Sequence, residues 1–466
     1  MLSDKPRRVA PPARSVTPVV KPVSPPPANN LPANQPPMPQ LLAPGADESG
    51  MFRKLAFYFG VALIFIKVSV LPEFLGTLIG TNLYILYIVT PPVVAGILAT
   101  GAIRRTFRGA AARYWMAFFV WMGLATVFSS WMGGSLAIFK DYAIYNVMLL
   151  FVVAGLATEW SEVRLVFLSV AAGALVNLLE SRLFMEVRGG RMQLWENGTI
   201  SNANDLASQL LLVLPFLLWL AMDKKRIIFI RVALYACIAY GIWVIVGTAS
   251  RGALIGIFGA FAFVLWRATM RQRVIAVFGG GLLAFIIMVA LPSNTANRLG
   301  TLFGEQNSEA TESSDARNHL FRQSVTYTLQ HPLFGVGPDQ FSNYQSNEHE
   351  VKKAMWHPTH CTWTQVSSEC GIPALIFFVM GLGSAYWGVA RTYRAARERG
   401  NRDIANACFC YQLALVGFLV SITFLSNAYT ATIPMMVGLG IAMSVAGARQ
   451  MAKPSHAPMV PMPARY

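Results

Sequence analysis

From about Leu55 to Arg449 the chain alternates long apolar runs with short polar breaks, and one polar interruption, from about Leu291 to Gly371, is far longer than the others. A bilayer core about 30 Å thick requires roughly 20 apolar residues of helix. By that criterion membrane helices are expected over 55–71, 82–102, 114–132, 142–158, 163–180, 206–222, 227–248, 251–268, 273–292, 371–390, 408–425 and 431–449. Only a short stretch with Glu159 and Glu162 parts the fourth run from the fifth. The expected fold class is all-α: a polytopic membrane helical bundle of about twelve transmembrane helices with one long, partly helical loop.

Inside that loop, Ser313-Ser314-Asp315-Ala316-Arg317 has the serines and early acid of a helix start. Leu320, Ser324, Val325, Thr328 and Leu329 follow at helical spacing, which predicts an amphipathic helix over the membrane face or the bundle mouth. His331-Pro332 ends it, and Gly335 and Gly337 permit a tight turn.

Residues 1–50 are rich in Pro, Ala, Ser and Asn and have almost no large apolar side chains. Such a segment buries too little surface to fold, so a disordered tail is expected. It has no short apolar core with a cleavage site, so the first membrane entry is expected from mature helix. The domain reading is a tail at 1–50, a transmembrane domain at 51–450 holding the loop 291–371, and a second tail at 451–466.

Charge orients the bundle. With 55% hydrophobic and 13% charged residues, the chain lies outside the range of a soluble domain. Its formal charge of +16 then reports topology rather than nucleic-acid binding, and no basic stripe with interleaved aromatics appears. With the N-terminus in the cytoplasm, the inner loops collect Arg104, Arg105, Arg108 and Arg113, then Arg164, Lys224, Lys225, Arg226, Arg267, Arg271 and Arg273, and finally Arg391, Arg394, Arg397, Arg399 and Arg402. The short outer loops hold only Lys140. Both termini are therefore expected in the cytoplasm, and the long loop and the smaller polar loop Ser181–Asp205 outside.

Three outer features break this bias: Arg182, Arg188 and Arg191 before the sixth span, Arg251 at the mouth of the eighth, and Arg317 and Arg322 in the long loop. Basic residues kept on the disfavoured side point to an anion. Long loops escape the bias, which covers Lys352 and Lys353. Arg251 is different, because it sits where the chain re-enters lipid. There a helix N-terminus adds unpaired N–H groups and partial positive charge, which suits phosphate. Gly252, Gly256 and Ala260 are small residues at every fourth position, a pattern more often used for close helix packing than for function. Lys67 in the first span is expected to snorkel to the outer interface.

Four pieces taken together resemble the O-antigen ligase and polymerase superfamily of bacterial envelope glycosyltransferases. They are Arg191 with Ser201-Asn202-Ala203-Asn204-Asp205-Leu206-Ala207, Arg251 in Ser-Arg-Gly-Ala, the turn Pro332-Leu333-Phe334-Gly335-Val336-Gly337-Pro338, and His360 about eleven residues before Gly371-Ile372-Pro373. The resemblance covers roughly 180–425 and rests on the order of the pieces, each weak alone. Two positions depart from the family's pattern: Cys361 stands where the family commonly has Asn, and Ala374 closes what is usually a Gly-x-Pro-Gly.

The resemblance implies transfer of a glycan from a polyprenyl-pyrophosphate carrier to a glycan, lipid A core or other acceptor, at the periplasmic face of the bacterial inner membrane, with no metal, nucleotide or other cofactor. Arg191, Arg251 and Arg317 are the expected substrate-binding cations and His360 the expected catalytic base, with inversion at the anomeric carbon. Within the superfamily, a polymerase of O-antigen or exopolysaccharide repeats and a protein O-oligosaccharyltransferase are the alternatives. A lone histidine more often satisfies a loop carbonyl than performs catalysis, and His357 and Glu369 are rivals for the base; the arginines and the family pattern favour His360. His331 precedes a turn proline and is expected to be structural. Glu348-His349-Glu350 lacks further ligands at metal spacing, so no metal site is expected. A Cys361–Cys370 bridge requires an oxidising compartment, and the free thiols are favoured. The long loop is expected to act as a lid carrying Arg317 and His360 over Arg191 and Arg251. A transporter, the reading from another class, requires broken helices, for which Gly279-Gly280-Gly281 is the candidate.

Overall fold

The computed structural model describes residues 50–81, 83–194, 199–200, 202–300, 308–349 and 358–453. The chain divides into two units, 1–43 and 44–466, and every described residue belongs to the second. The expected N-terminal tail up to residue 49, Ser201, Glu350, Lys352, Lys353, His357 and the tail beyond Lys453 lie outside the described residues.

Helices occupy each apolar run. At Val70, whose φ of 54° is left-handed, α1 (Met51–Ser69) bends by 65° into α2 (Leu71–Ile79). α3 (Ile85–Ala99), α4 (Ala102–Thr106) and α5 (Ala110–Val127) follow. The next segment joins α6 (Met132–Asp141), a π-helical stretch Tyr142–Val147, α7 (Met148–Phe151) and a second π-helical stretch Val152–Leu156.

The break before α8 (Trp160–Phe184) is built by its acids. Glu162 accepts the N–H groups of Thr158 and Glu159 at 2.7 and 3.1 Å, capping the new helix. Its other oxygen lies 2.8 Å from the buried Arg53 guanidinium, which also donates to the Leu156 carbonyl at 2.6 Å. Two glutamates that thinly separate runs in the sequence thus terminate one helix and start another.

After α8 comes a hairpin of β1 (Met185–Arg188) and β2 (Arg191–Leu194), antiparallel with Arg188 opposite Arg191 across a tight Gly189–Gly190 turn. α9 (Ala203–Met222), α10 (Ile228–Gly247), α11 (Arg251–Arg267) and α12 (Met270–Ala290) continue the bundle. The long polar segment contains α13 (Ser293–Gly300), α14 (Ser308–Gln330), α15 (Phe341–His349) and α16 (Thr362–Cys370). α17 (Ile372–Glu398), α18 (Arg402–Ile422) and α19 (Thr432–Ala452) close the chain.

Among the described residues nine helices are long and apolar enough to cross a bilayer, or ten if α1 and α2 count as one bent span. That is below the expected twelve. α3 has 15 residues and α11 has 17, about 23 and 26 Å of helix, short of the ~30 Å core. The chain is a multi-pass all-α membrane bundle. Gly279–Gly281 lies inside an unbroken α12, and the bent break among the described residues lies instead between α1 and α2.

α9, α18 and α19 form the densely buried centre. α11 packs along α18 through the small-residue stripe, as its spacing suggested. A Cβ on Gly256 meets the Gly417 carbonyl oxygen at 2.9 Å, and one on Gly252 meets the Phe424 Cβ at 2.8 Å. The stripe is a packing surface, and it fixes where the N-terminus of α11 sits against the loop after α18.

Two local expectations change, and the favoured free thiols hold. α14 begins at Ser308, so Ser313 lies inside the helix rather than at its start. Lys67 turns inward, with its ammonium 5.5 Å over the Tyr145 ring. Cys361 and Cys370 are buried free thiols at opposite ends of α16, roughly 13 Å of helix apart and beyond disulfide reach.

Candidate functional site

The long segment meets one end of the bundle, hereafter the loop face. Two of its parts, 331–341 and 358–371, are wedged among the helix ends rather than laid across them as a lid.

The first part is the turn after α14. Gly335 and Gly337 have φ of 66° and 111°, open to glycine alone at the second position, and a Cβ on Gly337 falls 1.9 Å from Ser129 Oγ. The Val336 carbonyl accepts from the Ser130 N–H and hydroxyl at 3.0 and 2.8 Å, and the Pro338 carbonyl accepts from Ser135 at 3.0 Å. Phe334 stacks on Trp121 and Phe128. The turn is an anchor, and its glycines serve close approach rather than phosphate. His331 pairs through Nε2 with the Tyr344 hydroxyl at 3.1 Å, a structural role.

The second part carries His360. Its backbone is left-handed, φ 52°, and its N–H donates to Ser426 Oγ at 2.9 Å. Thr359 also meets Ser426 at 3.1 Å, Thr362 donates to the Leu425 carbonyl at 2.7 Å, and Trp363 donates to Thr423 at 3.0 Å. The start of α16 is therefore stitched to 423–426, the end of α18 and the loop beyond it. That loop was invisible as a functional element in the sequence, since it is short and uncharged.

The same loop touches the mouth of α11, because Phe424 abuts Gly252 next to Arg251. Arg251 is the first residue of α11, exposed, and makes no hydrogen bond or ion pair among the described residues. A cation at the positive end of a helix is unfavourable unless an anion joins it. Before it, Ala249 is held at φ 48°, so two of the four left-handed non-glycine residues among those described, Ala249 and His360, flank this corner.

Arg191 arrives from β2. Its Nε donates to the Thr248 carbonyl at 3.0 Å and its Nη2 to Asn204 Oδ1 at 2.5 Å. Asn202 caps α9 by accepting the Asn204 N–H at 2.9 Å. The loop motif around Asn204 is thereby tied to the turn before Arg251. Arg188 is instead paired with Glu186 at 2.7 Å.

Arg317 is carried by α14. α14 and α16 pack side by side with their C-terminal ends together: Thr328 meets Ser367 at 2.8 Å and Ile372 donates to the Pro332 carbonyl at 2.8 Å. Arg317, half-buried, lies toward the other end of α14 and so on the His360 side of the pair. The structure thus links Arg191, Arg251 and His360 through Thr248, Phe424 and Ser426, with Arg317 on the His360 side of the α14–α16 pair.

Glu369, the expected rival base, faces inward. It is buried and accepts the Asp339 N–H at 2.9 Å and the Tyr429 hydroxyl at 2.7 Å. Burial, reinforced by the Asp339 charge and opposed by these hydrogen bonds, pushes its carboxyl up to about 8. It ties the turn, α16 and the 427–430 loop together at the far end of α16 from His360. Among the described residues no group of three or more metal-ligating side chains forms.

Residues 236–379 match the family model described as O-antigen ligase, which supports that superfamily for this chain. The match takes in Arg251, Arg317 and His360 and stops short of Arg191. No curated protein matches the chain.

Proposed function

We propose, from the O-antigen ligase match and the contacts at the loop face, that this multi-pass membrane protein is a glycosyltransferase acting on a polyprenyl-pyrophosphate-linked glycan at the periplasmic face of the bacterial inner membrane. Its termini and arginine-rich loops then lie in the cytoplasm. What supports the reading above all is the continuous run of contacts from Arg191 through Thr248 to the mouth of α11, and from Gly252 through Phe424 and Ser426 to His360.

In this reading Arg251 meets the pyrophosphate, aided by the N-terminus of α11. Arg191, engaged by Thr248 and Asn204, braces the turn before Arg251 and adds its charge to the field. The acceptor hydroxyl attacks the anomeric carbon, its proton passes to His360, and the bond to the pyrophosphate oxygen breaks with the electron pair leaving on pyrophosphate. Direct displacement inverts the anomeric carbon. Arg317 approaches from the α14 side, toward the glycan. This chemistry asks nothing of a metal or nucleotide.

A lipid A core acceptor makes the protein a ligase, a glycan repeat a polymerase, and a polypeptide an oligosaccharyltransferase. Deleting the gene separates these: the envelope glycan or glycoprotein that disappears, while its precursor accumulates on the lipid carrier, names the acceptor. Unchanged envelope glycans and no accumulated carrier-linked precursor contradict the proposal.

A further inference from the structure

Lys67, the third residue from the end of α1, is a charged side chain inside a membrane span, where such a residue is rarely kept without a task. It is half-buried rather than sealed, and among the described residues it makes no hydrogen bond or ion pair. Its ammonium stands 5.5 Å over the Tyr145 ring, and the C-terminal turn of α1 favours a positive charge. Neither ring nor dipole fills its three N–H donors. Glu73, whose charge reaches Lys67, is taken up by the Thr199 N–H and hydroxyl at 2.7 and 2.9 Å.

Contacts from Lys67 run both ways round the loop face and meet. On one side, Tyr145 and Asn146 belong to the π-helical stretch Tyr142–Val147, a departure from the α-helix that is frequent at functional sites. Asn146 donates to the Tyr429 carbonyl at 2.7 Å. The loop of Tyr429 leads back through Ser426, which holds His360, to Phe424 against Gly252 beside Arg251. On the other side, the Val68 carbonyl accepts from Gln209 at 3.1 Å. From Gln209, α9 leads to Asn204, which holds Arg191, and so to Thr248 just before Arg251. The two arcs close a circuit in which Lys67 and Arg251 stand apart, with His360 on one arc between them.

Direct displacement at an anomeric carbon brings the entering hydroxyl to the ring face opposite the leaving group. With pyrophosphate at Arg251 and the base at His360, the acceptor comes from the Lys67 side. An ammonium with open donors there suits an oxyanion. We infer that Lys67 binds an anionic group, phosphate or carboxylate, carried by the acceptor, so that the acceptor is an acidic glycolipid. This rests on the transfer reading above and adds the acceptor's charge to it.

The purified full chain is assayed with a polyprenyl-pyrophosphate-linked glycan as donor and lipid A core as acceptor, used intact, dephosphorylated, with its carboxyl groups amidated, or with both treatments. Lys67→Gln is expected to raise the acceptor KM about tenfold, the scale of one lost charge-assisted contact, with kcat and donor KM near wild type, and Lys67→Arg to keep most of the acceptor affinity. Removing the recognised anion raises the wild-type acceptor KM by the same factor and leaves Lys67→Gln unmoved, and the treatment that does so tells phosphate from carboxylate. An unchanged acceptor KM in Lys67→Gln, or a raised donor KM in its place, overturns the inference. Acceptor binding without donor is followed in parallel by native mass spectrometry. A wild-type chain that binds intact core but does not transfer to it contradicts the transfer reading, whereas one that binds intact core no better than the doubly treated core overturns the role of Lys67. Should Lys67→Gln fail to insert, Lys67→Arg and the treated acceptors on the wild-type chain decide.

Discussion

At the scale of single residues, Glu369 shows how burial turns a carboxyl from chemistry to architecture. Its ordinary value is near 4.5 and burial pushes it to about 8, so the folded state holds the proton more tightly than the unfolded chain. Asp339 is raised in the same direction by burial. The sign follows: the stabilisation is full below about pH 4.5 and is lost as pH rises towards 8. The thermal midpoint of the wild-type protein is expected to fall across that window, and Glu369→Gln to flatten the fall; an unchanged slope in the variant contradicts the assignment. Glu369→Ala leaves the Asp339 N–H and the Tyr429 hydroxyl without their acceptor, at about 1–3 kcal/mol for each group. Arg191 makes a different kind of claim. Its planar fork serves Thr248 and Asn204 at once, and lysine does not reproduce that geometry. Arg191→Lys, which keeps the charge, is accordingly expected to lower transfer activity by roughly tenfold or more in a membrane assay at matched protein level, and full activity in that variant removes the bracing role.

At the scale of elements, the turn 331–338 and α16 act as one wedge in the loop face. Gly337 is its tightest point, with φ 111° and Ser129 Oγ where a Cβ belongs. Gly337→Ala is expected to destabilise the protein by about 2 kcal/mol or more, seen as a lower thermal midpoint. Gly383 in α17 has nothing within 4 Å of its added Cβ, so Gly383→Ala is expected to be neutral or to stabilise by about 0.5–1 kcal/mol; equal loss in both variants undoes the wedge reading. Hydrophobic runs announced the helices because burial in lipid demands them, and the Gly-Val-Gly turn announced itself through its backbone requirement. The docking of that turn on Ser130 and Ser135 had no signal, since serines before a span read as ordinary loop. The same holds for Ser426, which meets His360 through one hydroxyl in an uncharged loop. Arg251 draws attention in the sequence because charge near lipid is rare, and His360 through the family pattern; Thr248, Phe424 and Ser426, which lie between them in the fold, are neutral and carry no such mark.

At the scale of the whole molecule, two ends of one helix carry two different arginines. Arg251 opens α11 at the loop face and Arg267 closes it roughly 25 Å away, and the short helix between them is locked to α18 by small residues. Helix length explains why, among the described residues, nine or ten of the expected twelve spans meet the bilayer criterion: the apolar pattern locates a segment but not how far it extends as helix. The central claim is that the corner formed by Arg251 and the His360 loop binds a pyrophosphate-linked donor and transfers its glycan. The most direct measurement uses the purified protein with a polyprenyl-pyrophosphate-linked glycan and follows donor binding and turnover separately. Arg251→Ala is expected to lose both while still inserting and accumulating, and His360→Ala to bind donor normally and lose turnover. Near wild-type binding and turnover in Arg251→Ala would contradict the account.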